Sequence, residues 1–413
     1  WIAAAMSDGD RAVAGRGVTT AEDFRIRLLD LDADIYAAYY DDVCNEALWF
    51  AHHGLFDGVT TPAWPSGWVD RAWAAYRRVN EAFADAVVAD SPADAAVLVQ
   101  DYHLGLLAPR VRAARPDLHL VHFSHTPFAP PAWFRMLPTV ARAELVAGLA
   151  AHHACGFHTQ RWADDFTATC RSEAVEPPVT FVAPLGPDAD DLAATLGSDA
   201  CRRSMEELDR LVGDRTFVVR VDRVELSKNL VRGFDAYEQF LIDRPDHHGR
   251  VVFGAFAYPS RLGVAAYDRY AREVAELVVA INARFATADW TPVHYEPDDD
   301  YPRSIAALAR ADVVMVNPIR DGLNLVAKEA MVVNQRQGQL LLSTEAGAYA
   351  ELADGAWAVD PFDVGATALC LARCLDAGPD ERSRRHGLLD AAARRRTPTH
   401  WLADQLAAAE PGR

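Results

Sequence analysis

A group of polar residues that could bind a ligand follows an apolar run near position 320. The apolar run is Val313–Val316, and Asp321, Asn324 and Glu329 come soon after it. An apolar run, a tight turn and a helix in this order are typical of a parallel α/β sheet, where ligands bind beyond the carboxyl ends of the strands. Unpaired N–H groups at the start of such a helix hold anions such as a diphosphate. The motif predicts an anion and sugar site, although a solvated loop before a capped helix would give the same pattern.

The side chains of this motif are suited to hydroxyl groups of a ligand. Asp321 and Asn324 can hydrogen-bond hydroxyls. Glu329 lies about two helical turns further on, where it can reach a second group on the same face. A sugar on one side and a ribose on the other would suit this arrangement.

Two cations occupy a comparable place after another apolar run. Arg223 and Lys228 follow Phe217–Val221, in a segment that reads as a loop entering a helix. The fork of an arginine and the point charge of a lysine together suit one diphosphate. Two unrelated surface cations are the alternative.

Polar residues also follow two successive apolar runs in the first half of the chain. Asp101 and Tyr102 follow Ala96–Val99, and His125 follows the run His119–Phe123. Asp101 and His125 can hydrogen-bond sugars, but either one alone is explained more simply by a structural role. Because the carboxyl ends of parallel strands meet at one edge of a sheet, the two segments together favour a shared crevice.

Tyr40, Trp49 and Arg261 complete the candidate residues. Aromatic rings stack on the apolar faces of sugar rings, and a tyrosine hydroxyl with an arginine can clamp a phosphate. Without any comparison, the two aromatic residues are explained most simply as core residues.

The composition excludes several classes of partner. The net charge of −18 argues against nucleic acid and anionic membrane surfaces, which both require a basic face. No apolar stretch is long enough to span a bilayer. The cysteines show no metal or redox spacing, which is typical of a reducing compartment and predicts a cytoplasmic protein. The opening Trp1–Ala5 has no basic region like that of a signal peptide and looks like the end of a strand.

Apolar runs alternate with longer helical patterns along the chain, which predicts βαβ units and parallel sheets. The helical patterns include Trp68–Ala89, Leu230–Ile242 and Tyr267–Phe285. A polar stretch with Pro and Gly, Pro184–Asp199, is the expected linker. The predicted domains are therefore 1–195, 196–380 and a helical tail, 381–413.

Taken together, these segments resemble the trehalose-6-phosphate synthase family, glycosyltransferase family 20, over nearly the whole chain. Several of the segments are long and rarely seen outside that family. In family order they are Tyr39-Tyr40, Asn45, Leu48-Trp49, Gln100–Leu104, His125–Phe128, Gly156–Thr159, Asp222-Arg223, Ser227-Lys228, Pro259–Arg261, Arg320–Glu329 and His400-Trp401.

The resemblance implies a fold and a reaction. The fold is GT-B, in which two Rossmann-like parallel-sheet domains face a central cleft and a C-terminal helix crosses back to the first domain. The reaction is the retaining transfer of glucose from GDP-glucose or UDP-glucose to glucose 6-phosphate, giving α,α-trehalose 6-phosphate. The resemblance implies no metal and no cofactor, and a homo-oligomer is left open. The family's glycine-rich loop and amino-terminal arginine have no counterpart here, so its first strand and that loop are expected to be missing.

Site residues carry over from the family position by position. The implied donor groups are Arg223 and Lys228 on the diphosphate, Asp321 on glucose hydroxyls, Glu329 on the ribose, and the backbone of Gly322, Asn324, Leu325 and Val326 near the phosphates. His125 is expected against the transferred glucose, and with Arg223, Lys228 and Asp321 it makes up the catalytic set. The implied acceptor pocket contains Tyr40, Trp49, Asp101, Tyr102 and Arg261, with Tyr40 and Arg261 on its phosphate.

Departures from the family pattern indicate a divergent branch. Glu225 and Asn229 stand where aspartate and glycine are usual, Thr126 replaces an isoleucine, and Ala129–Pro131 replaces the usual proline-rich continuation. Synthases of glucosylglycerol phosphate and relatives that couple pseudo-sugars are therefore the nearest alternatives, although the complete acceptor set favours glucose 6-phosphate. An inactive regulatory paralogue is the alternative from another class. Such a paralogue is expected to have lost Arg223, Lys228 or Glu329, and all three are present.

The acidic segment Glu296–Tyr301 is predicted to read the base of the donor. Its spacing from the Asp321 motif matches the family's base-binding edge, which places Asp299 at the base. A carboxylate accepts two parallel donors well, and guanine offers N1–H beside an amino group where uracil offers one N–H between two carbonyls. The loop therefore favours GDP-glucose slightly, with helix capping as the alternative role of its aspartates.

Overall fold

The computed structural model describes residues 1–21, 24–261 and 264–410. The chain folds into two compact units. Unit 1 comprises Trp1–Ala183 together with Leu402–Arg413, and unit 2 comprises Pro184–Trp401. The helix Pro398–Ala408 therefore begins in unit 2 and ends in unit 1.

Unit 1 contains a parallel sheet of four strands in the order β4-β5-β6-β7, and a smaller sheet in the order β1-β3-β2. In the smaller sheet β1 runs parallel and β2 antiparallel to β3. The strands of unit 1 are β1 Ile2–Ala4, β2 Val18–Ala21, β3 Phe24–Leu29, β4 Ala96–Gln100, β5 His119–Ser124, β6 Ala154–Phe157 and β7 Val179–Val182. Its α-helices are α1 Asp8–Ala14, α2 Ala33–Ala37, α3 Trp49–His53, α4 Ala74–Asp90, α5 Leu107–Ala114, α6 Pro131–Phe134, α7 Thr139–Ala150 and α8 Gln160–Ser172, with π-helical segments at Ala38–Leu48 and Val69–Trp73.

Unit 2 contains one parallel sheet of six strands in the order β10-β9-β8-β11-β12-β13. Its strands are β8 Thr216–Val224, β9 Val251–Pro259, β10 Val293–Glu296, β11 Val313–Val316, β12 Gln339–Ser343 and β13 Trp357–Val359. Its α-helices are α9 Ala189–Leu196, α10 Asp199–Val212, α11 Leu230–Asp243, α12 Ala265–Phe285, α13 Tyr301–Arg310, α14 Leu325–Val333, α15 Tyr349–Leu352, α16 Val364–Leu375, α17 Pro379–Ala393 and the shared α18 Pro398–Ala408. Short 3₁₀ turns lie at Tyr102–Leu104 in unit 1 and at Leu226–Lys228 and Pro245–His247 in unit 2.

The core of unit 2 explains why its central strands are almost continuous apolar runs. Every residue of β11 and β12 is buried. A parallel strand with helices on both faces of the sheet buries both of its own faces, so alternation of polar residues disappears. This architecture brings the carboxyl ends of β8, β9, β10 and β11 to one edge.

The predicted linker contains more regular structure than the sequence suggested. Asp188 caps α9 by accepting hydrogen bonds from the backbone N–H groups of Asp190 and Asp191, and α10 begins at Asp199. Among the described residues, no helix is long and apolar enough to cross a bilayer.

Candidate active site

Lys228 and Asp321 meet at the carboxyl edge of the sheet in unit 2. Lys228 ends the 3₁₀ turn that follows β8, and Asp321 follows β11, the strand beside β8. The Nζ atom of Lys228 lies 2.6 Å from Oδ2 of Asp321 and 4.0 Å from Oδ1 of Asp222. Burial lowers the pKa of Lys228, but Asp321, Asp222 and Glu225 together raise it above its usual value. The lysine is therefore held as a cation beside the carboxylate predicted to hold glucose hydroxyls.

Arg223 lies inside strand β8, so its predicted place in a loop is wrong. The strand continues to Val224 because β9 pairs with it as far as Pro259, and Arg223 is in register with Tyr258. The side chain of Arg223 is 41% exposed, whereas that of Lys228 is 14% exposed. The side chain of Arg223 is therefore accessible to a ligand, while its backbone is fixed in strand β8.

A buried arginine that the sequence analysis missed supports the turn of Lys228. Arg220 donates to Asp222 at 2.9 Å, to Oδ1 of Asn317 at 2.6 Å and to the backbone carbonyl of Lys228. A Cβ atom at Gly233 would lie only 2.5 Å from Nη1 of Arg220, so the glycine makes room for the guanidinium. The sequence did contain a signal for the role of Arg220, because it is a charged residue within the otherwise apolar run Phe217–Val221.

Glu225 connects Arg223 with Arg261. Its side chain is fully buried, its Oε1 atom forms an ion pair with Nη1 of Arg223 at 2.8 Å, and the same atom accepts from the hydroxyl of Ser260 at 3.1 Å. The same oxygen lies 3.4 Å from Nε of Arg261. The arginines predicted for the donor diphosphate and the acceptor phosphate therefore share one carboxylate oxygen.

The turn after β11 is organised by Asp321 and Asn324. Asn324 has a left-handed backbone with φ of 70° and caps α14 by accepting from the N–H of Ala327. Asp321 accepts from the backbone N–H of Leu323 at 3.3 Å and from Nδ2 of Asn324 at 3.2 Å. A Cβ atom at Gly347 would clash with the carbonyl oxygen of Gly322, so close backbone packing fixes the turn.

The remaining backbone candidates stand at the positive end of a helix. Leu325 and Val326 form the start of α14 and are half-buried. The first N–H groups of a helix have no partner within it and carry partial positive charge. The first turn of α14 thus offers N–H donors to an anion beside the Asp321 turn.

Glu329 lies one turn into α14, and burial raises its pKa to about 7, with Asp191 adding to the shift. The phenol of Tyr301 donates to Oδ2 of Asp191 at 3.3 Å.

Lys328, the residue before Glu329, is buried. It contacts Glu351 at 2.5 Å and donates to the carbonyl of Leu185 at 2.8 Å. These contacts anchor this part of helix α14.

On the prediction that Glu329 binds the donor ribose, we expect the Michaelis constant for the donor to rise as the pH falls through about 7. Only an ionised carboxylate can accept hydrogen bonds from both ribose hydroxyls. The pKa of Glu329 in the folded chain is higher than its usual value of 4.5, so folding favours the neutral carboxyl. The folded state therefore loses stability as the pH rises from about 4.5 to 7. Below the pKa the ionised fraction falls about tenfold per pH unit. Steady-state kinetics from pH 5.5 to 8.5 should show this rise.

The control for this expectation is Glu329→Gln, which removes the titrating group. Its donor Michaelis constant should be raised at every pH and lose the dependence on pH. The same pH dependence in this variant would assign the titration to another group.

The acidic loop contains one capping residue. Asp300 accepts from the backbone N–H of Arg303 at 3.0 Å and so caps α13. Asp299 lies close enough to Tyr258 to add to the effect of burial in raising the pKa of that tyrosine. A cavity of about 350 Å³ opens beside this loop and is lined by residues that include Phe256 and Arg303.

In unit 1 the structure brings Asp101 and His125 to the carboxyl ends of neighbouring strands. Asp101 follows β4 with φ of 61°, and its N–H donates to the carbonyl of Phe123 in β5. Its Oδ1 atom lies 3.4 Å from both the N–H and the hydroxyl of Thr126. A non-glycine residue at positive φ is strained, and such strain clusters at binding sites.

His125 contacts Gln100, which in turn contacts Gln405, and the sequence analysis assigned a role to neither glutamine. Its Nε2 atom lies 3.0 Å from Oε1 of Gln100, and Nε2 of Gln100 donates to Oε1 of Gln405 at 3.0 Å. Because Gln100 presents its carbonyl oxygen, Nε2 of His125 carries the proton. Burial lowers the pKa of His125, which keeps the ring neutral.

The aromatic candidates of unit 1 form one cluster. Tyr40 lies in the π-helical segment and stacks on His103 with ring centroids 6.0 Å apart. Trp49 is buried, stacks on His53 at 3.8 Å and meets the edge of Tyr102 at 6.1 Å.

The predicted acceptor set is divided between the two units. Tyr40, Trp49, Asp101 and Tyr102 belong to unit 1, and Arg261 belongs to unit 2. Arg11, which the sequence analysis did not include, lines a cavity of about 200 Å³ in unit 1 together with Tyr40.

Comparison with known proteins shows which family this chain belongs to. The family model described as glycosyltransferase family 20 matches residues 1–410. The chain belongs to glycosyltransferase family 20. The two parallel-sheet units match a crystal structure of an α,α-trehalose-phosphate synthase (UDP-forming) from Burkholderia vietnamiensis, with a TM-score of 0.87 and 30% identity over 95% of this chain and 89% of that one. The predicted GT-B fold class is confirmed.

Other relatives differ in length and in name. The bifunctional trehalose-6-phosphate synthase/phosphatase of Thermoproteus tenax is 32% identical over 91% of this chain and 52% of its own length. The glucosylglycerol-phosphate synthase of Synechocystis is 28% identical over 91% of this chain and 80% of its own. A trehalose-6-phosphate structure from E. coli bound with UDP-2-fluoro glucose has a TM-score of 0.88 and 26% identity, covering 96% of this chain and 89% of that one. The chain thus spans about half the length of the Thermoproteus tenax relative.

Proposed function

We propose that this glycosyltransferase moves glucose from a nucleotide-diphosphate glucose to glucose 6-phosphate with retention, giving α,α-trehalose 6-phosphate. The observation that carries the proposal is the pairing of Lys228 with Asp321 at the edge of the unit 2 sheet. A cation for the diphosphate beside a carboxylate for the sugar is what a sugar nucleotide requires. The names of the relatives and the acceptor set of unit 1 support the same acceptor.

The proposed mechanism is attack from the side on which the leaving group departs. The bond between glucose C1 and the diphosphate oxygen breaks while the acceptor hydroxyl oxygen bonds to C1 on the same face. The hydroxyl proton passes to an oxygen of the departing diphosphate. Lys228 and Arg223 stabilise the charge that grows on that diphosphate, which is the protein's main contribution. Lys228 has three N–H donors and can serve the phosphate while it still contacts Asp321.

Synthesis of glucosylglycerol phosphate is the second candidate, favoured by the Synechocystis relative and by the divergent Thr126 and Ala129–Pro131 segment. An inactive paralogue is the third. Incubating the protein with each nucleotide-glucose, and with glucose 6-phosphate or glycerol 3-phosphate, separates them. Release of nucleoside diphosphate only with glucose 6-phosphate supports the proposal. Release with glycerol 3-phosphate supports the second candidate, and no release supports the third.

For the donor we propose that the Asp299 loop favours GDP-glucose over UDP-glucose. We expect a higher kcat/KM with GDP-glucose, because the Asp299 carboxylate can accept both parallel donors of guanine. Competition between the two donors in one assay measures this ratio directly. A clear preference for UDP-glucose would reject the prediction.

The neighbouring aspartate supplies the matched control. Asp299→Asn should reduce the preference for GDP-glucose, since an amide accepts only one of the two donors well. Asp300→Asn should leave it unchanged, because asparagine caps a helix about as well as aspartate. Equal effects of the two substitutions would indicate a general effect of charge or capping.

A further inference from the structure

Glu225 is a buried carboxylate that the proposed mechanism does not use. It follows β8 directly, and its side chain is fully buried although the neighbouring Arg223 is partly exposed. One of its oxygens, Oε1, makes the contacts with Arg223, Ser260 and Arg261. Within the part of the chain that the structure describes, the other oxygen, Oε2, is buried without a hydrogen-bond partner.

This arrangement is unfavourable for stability alone. A buried carboxylate loses its hydration, and an oxygen without a donor is not compensated for that loss. Two cations held on the same carboxylate offset part of this cost but do not remove it. The position of Glu225 therefore indicates a role in organising its two arginines.

The contact geometry shows how the carboxylate can orient both arginines while leaving them able to bind anions. Arg223 contacts Glu225 through Nη1, and Arg261 approaches it through Nε. A guanidinium has five N–H donors in a rigid fork. Contact of one nitrogen with Glu225 therefore does not by itself occupy the donors on the other two nitrogens of a guanidinium.

The surrounding backbone supports this role. Ser260 donates its hydroxyl to the same oxygen, and Arg261 has a left-handed backbone with φ of 54°. The guanidinium of Arg261 also lies over the ring of Tyr267, at 5.7 Å from its centroid. Arg261 is therefore restrained by its contacts with Tyr267 and Glu225, and Glu225 directly follows strand β8.

We propose that Glu225 is a positioning residue that orients Arg223 towards the donor diphosphate and Arg261 towards the acceptor phosphate, and so couples the two anion sites. This inference rests on the proposed function for the identity of the two anions. The coupling lies within unit 2, because all four contacting residues belong to that unit.

Glu225→Gln tests the proposal, because it keeps the size of the side chain and removes its charge. We expect the Michaelis constants for donor and acceptor each to rise about tenfold, as for loss of one charge-assisted contact. The melting temperature should stay close to that of the wild type. A rise for one substrate only, or no rise for either, would overturn the proposal.

Asp312→Asn is the matched control at the opposite edge of the same sheet. Asp312 is buried, accepts from the N–H of Phe217 at 2.9 Å and lies 3.5 Å from Nη1 of Arg310. Its substitution should lower the melting temperature and leave both Michaelis constants unchanged. Raised Michaelis constants in this control would mean that the effect of Glu225→Gln reflects general loosening of the unit.

A double substitution separates coupling from simple damage. In an Arg261→Ala background, Glu225→Gln should add little to the acceptor Michaelis constant and still raise the donor constant about tenfold. If the effects of Glu225→Gln and Arg261→Ala were fully additive on both Michaelis constants, the two arginines would not depend on a shared carboxylate. If Glu225→Gln does not fold, Ser260→Ala removes one hydrogen bond from the same oxygen and should raise both constants by a smaller factor. No change in either constant would then overturn the proposal.

Direct titration keeps this test independent of the proposed reaction. If the wild-type protein shows no glucosyl transfer, the proposed function fails. Calorimetric titration with GDP or UDP and with inorganic phosphate still compares the wild type with Glu225→Gln. Weaker binding of both probes by the variant supports the positioning role, and unchanged binding overturns it.

Discussion

Replacing Lys228 or Arg223 by alanine is expected to lower kcat by about 10²-fold or more. In the proposed mechanism each supplies a preorganised positive charge where the departing diphosphate becomes more negative, and loss of one such group costs about 10²–10³ in kcat. Lys228 is held in place by Asp321 at 2.6 Å and is kept charged by the surrounding carboxylates. Steady-state rates of nucleoside diphosphate release, measured at saturating concentrations of both substrates, give the comparison.

The matched control is Arg284→Ala in the same unit. Arg284 is 55% exposed and pairs with Glu238 at 3.1 Å, away from the carboxyl edge of the sheet. Its loss should leave kcat unchanged, since exposed ion pairs contribute little. Near-wild-type kcat in Lys228→Ala or Arg223→Ala would show that the diphosphate assignment is wrong.

The parallel sheets were predictable where strands are long and apolar. The runs at Val97, Leu120, Val218, Val252 and Val314 all fall inside strands of the two parallel sheets. In such strands both faces are buried, so the sequence itself carries the signal. The fold class was predicted from this pattern and from the order of the motifs, and the match to the solved Burkholderia vietnamiensis structure confirms it.

Short strands with small residues were missed for a physical reason. β6 consists of Ala154–Phe157 and contains Gly156, where a Cβ atom would clash with the rings of Phe181 and Phe123. The glycine is required by packing from neighbouring strands that are distant in sequence. A local pattern cannot show that requirement, because glycine is unfavourable in an isolated strand.

In the candidate site, too, some residues could be predicted from the adjacent sequence, whereas others depend on contacts with residues distant in sequence. Asp321, Asn324 and Lys228 were predicted as site residues because each follows a recognisable strand or begins a helix. Glu225 was noted only as a departure from the family pattern, and Gln405 was not noted. Both residues contact partners that are far along the chain, Arg261 and Gln100. Spacing along one segment gives no measure of such contacts.

The acceptor phosphate provides the last test. Arg261→Ala is expected to raise the Michaelis constant for glucose 6-phosphate far more than that for the donor. A charge-assisted hydrogen bond is worth roughly 1.5–3 kcal/mol, which corresponds to a loss of about tenfold to 10²-fold in affinity. The donor constant should change less, because Arg223 retains its own contact with Glu225 at 2.8 Å.

Tyr40→Phe should show the same selectivity with a smaller effect, because it removes only a hydroxyl. The ring of Tyr40 keeps its stacking on Tyr36, with centroids 5.6 Å apart, so the π-helical segment should remain folded. Tyr39→Phe is the control: the hydroxyl of Tyr39 donates to the carbonyl of His103 inside the core. Its loss should lower stability and leave both Michaelis constants unchanged. If Arg261→Ala and Tyr40→Phe weakened donor and acceptor equally, their assignment to the acceptor phosphate would be wrong, and the two residues would be supporting the site as a whole.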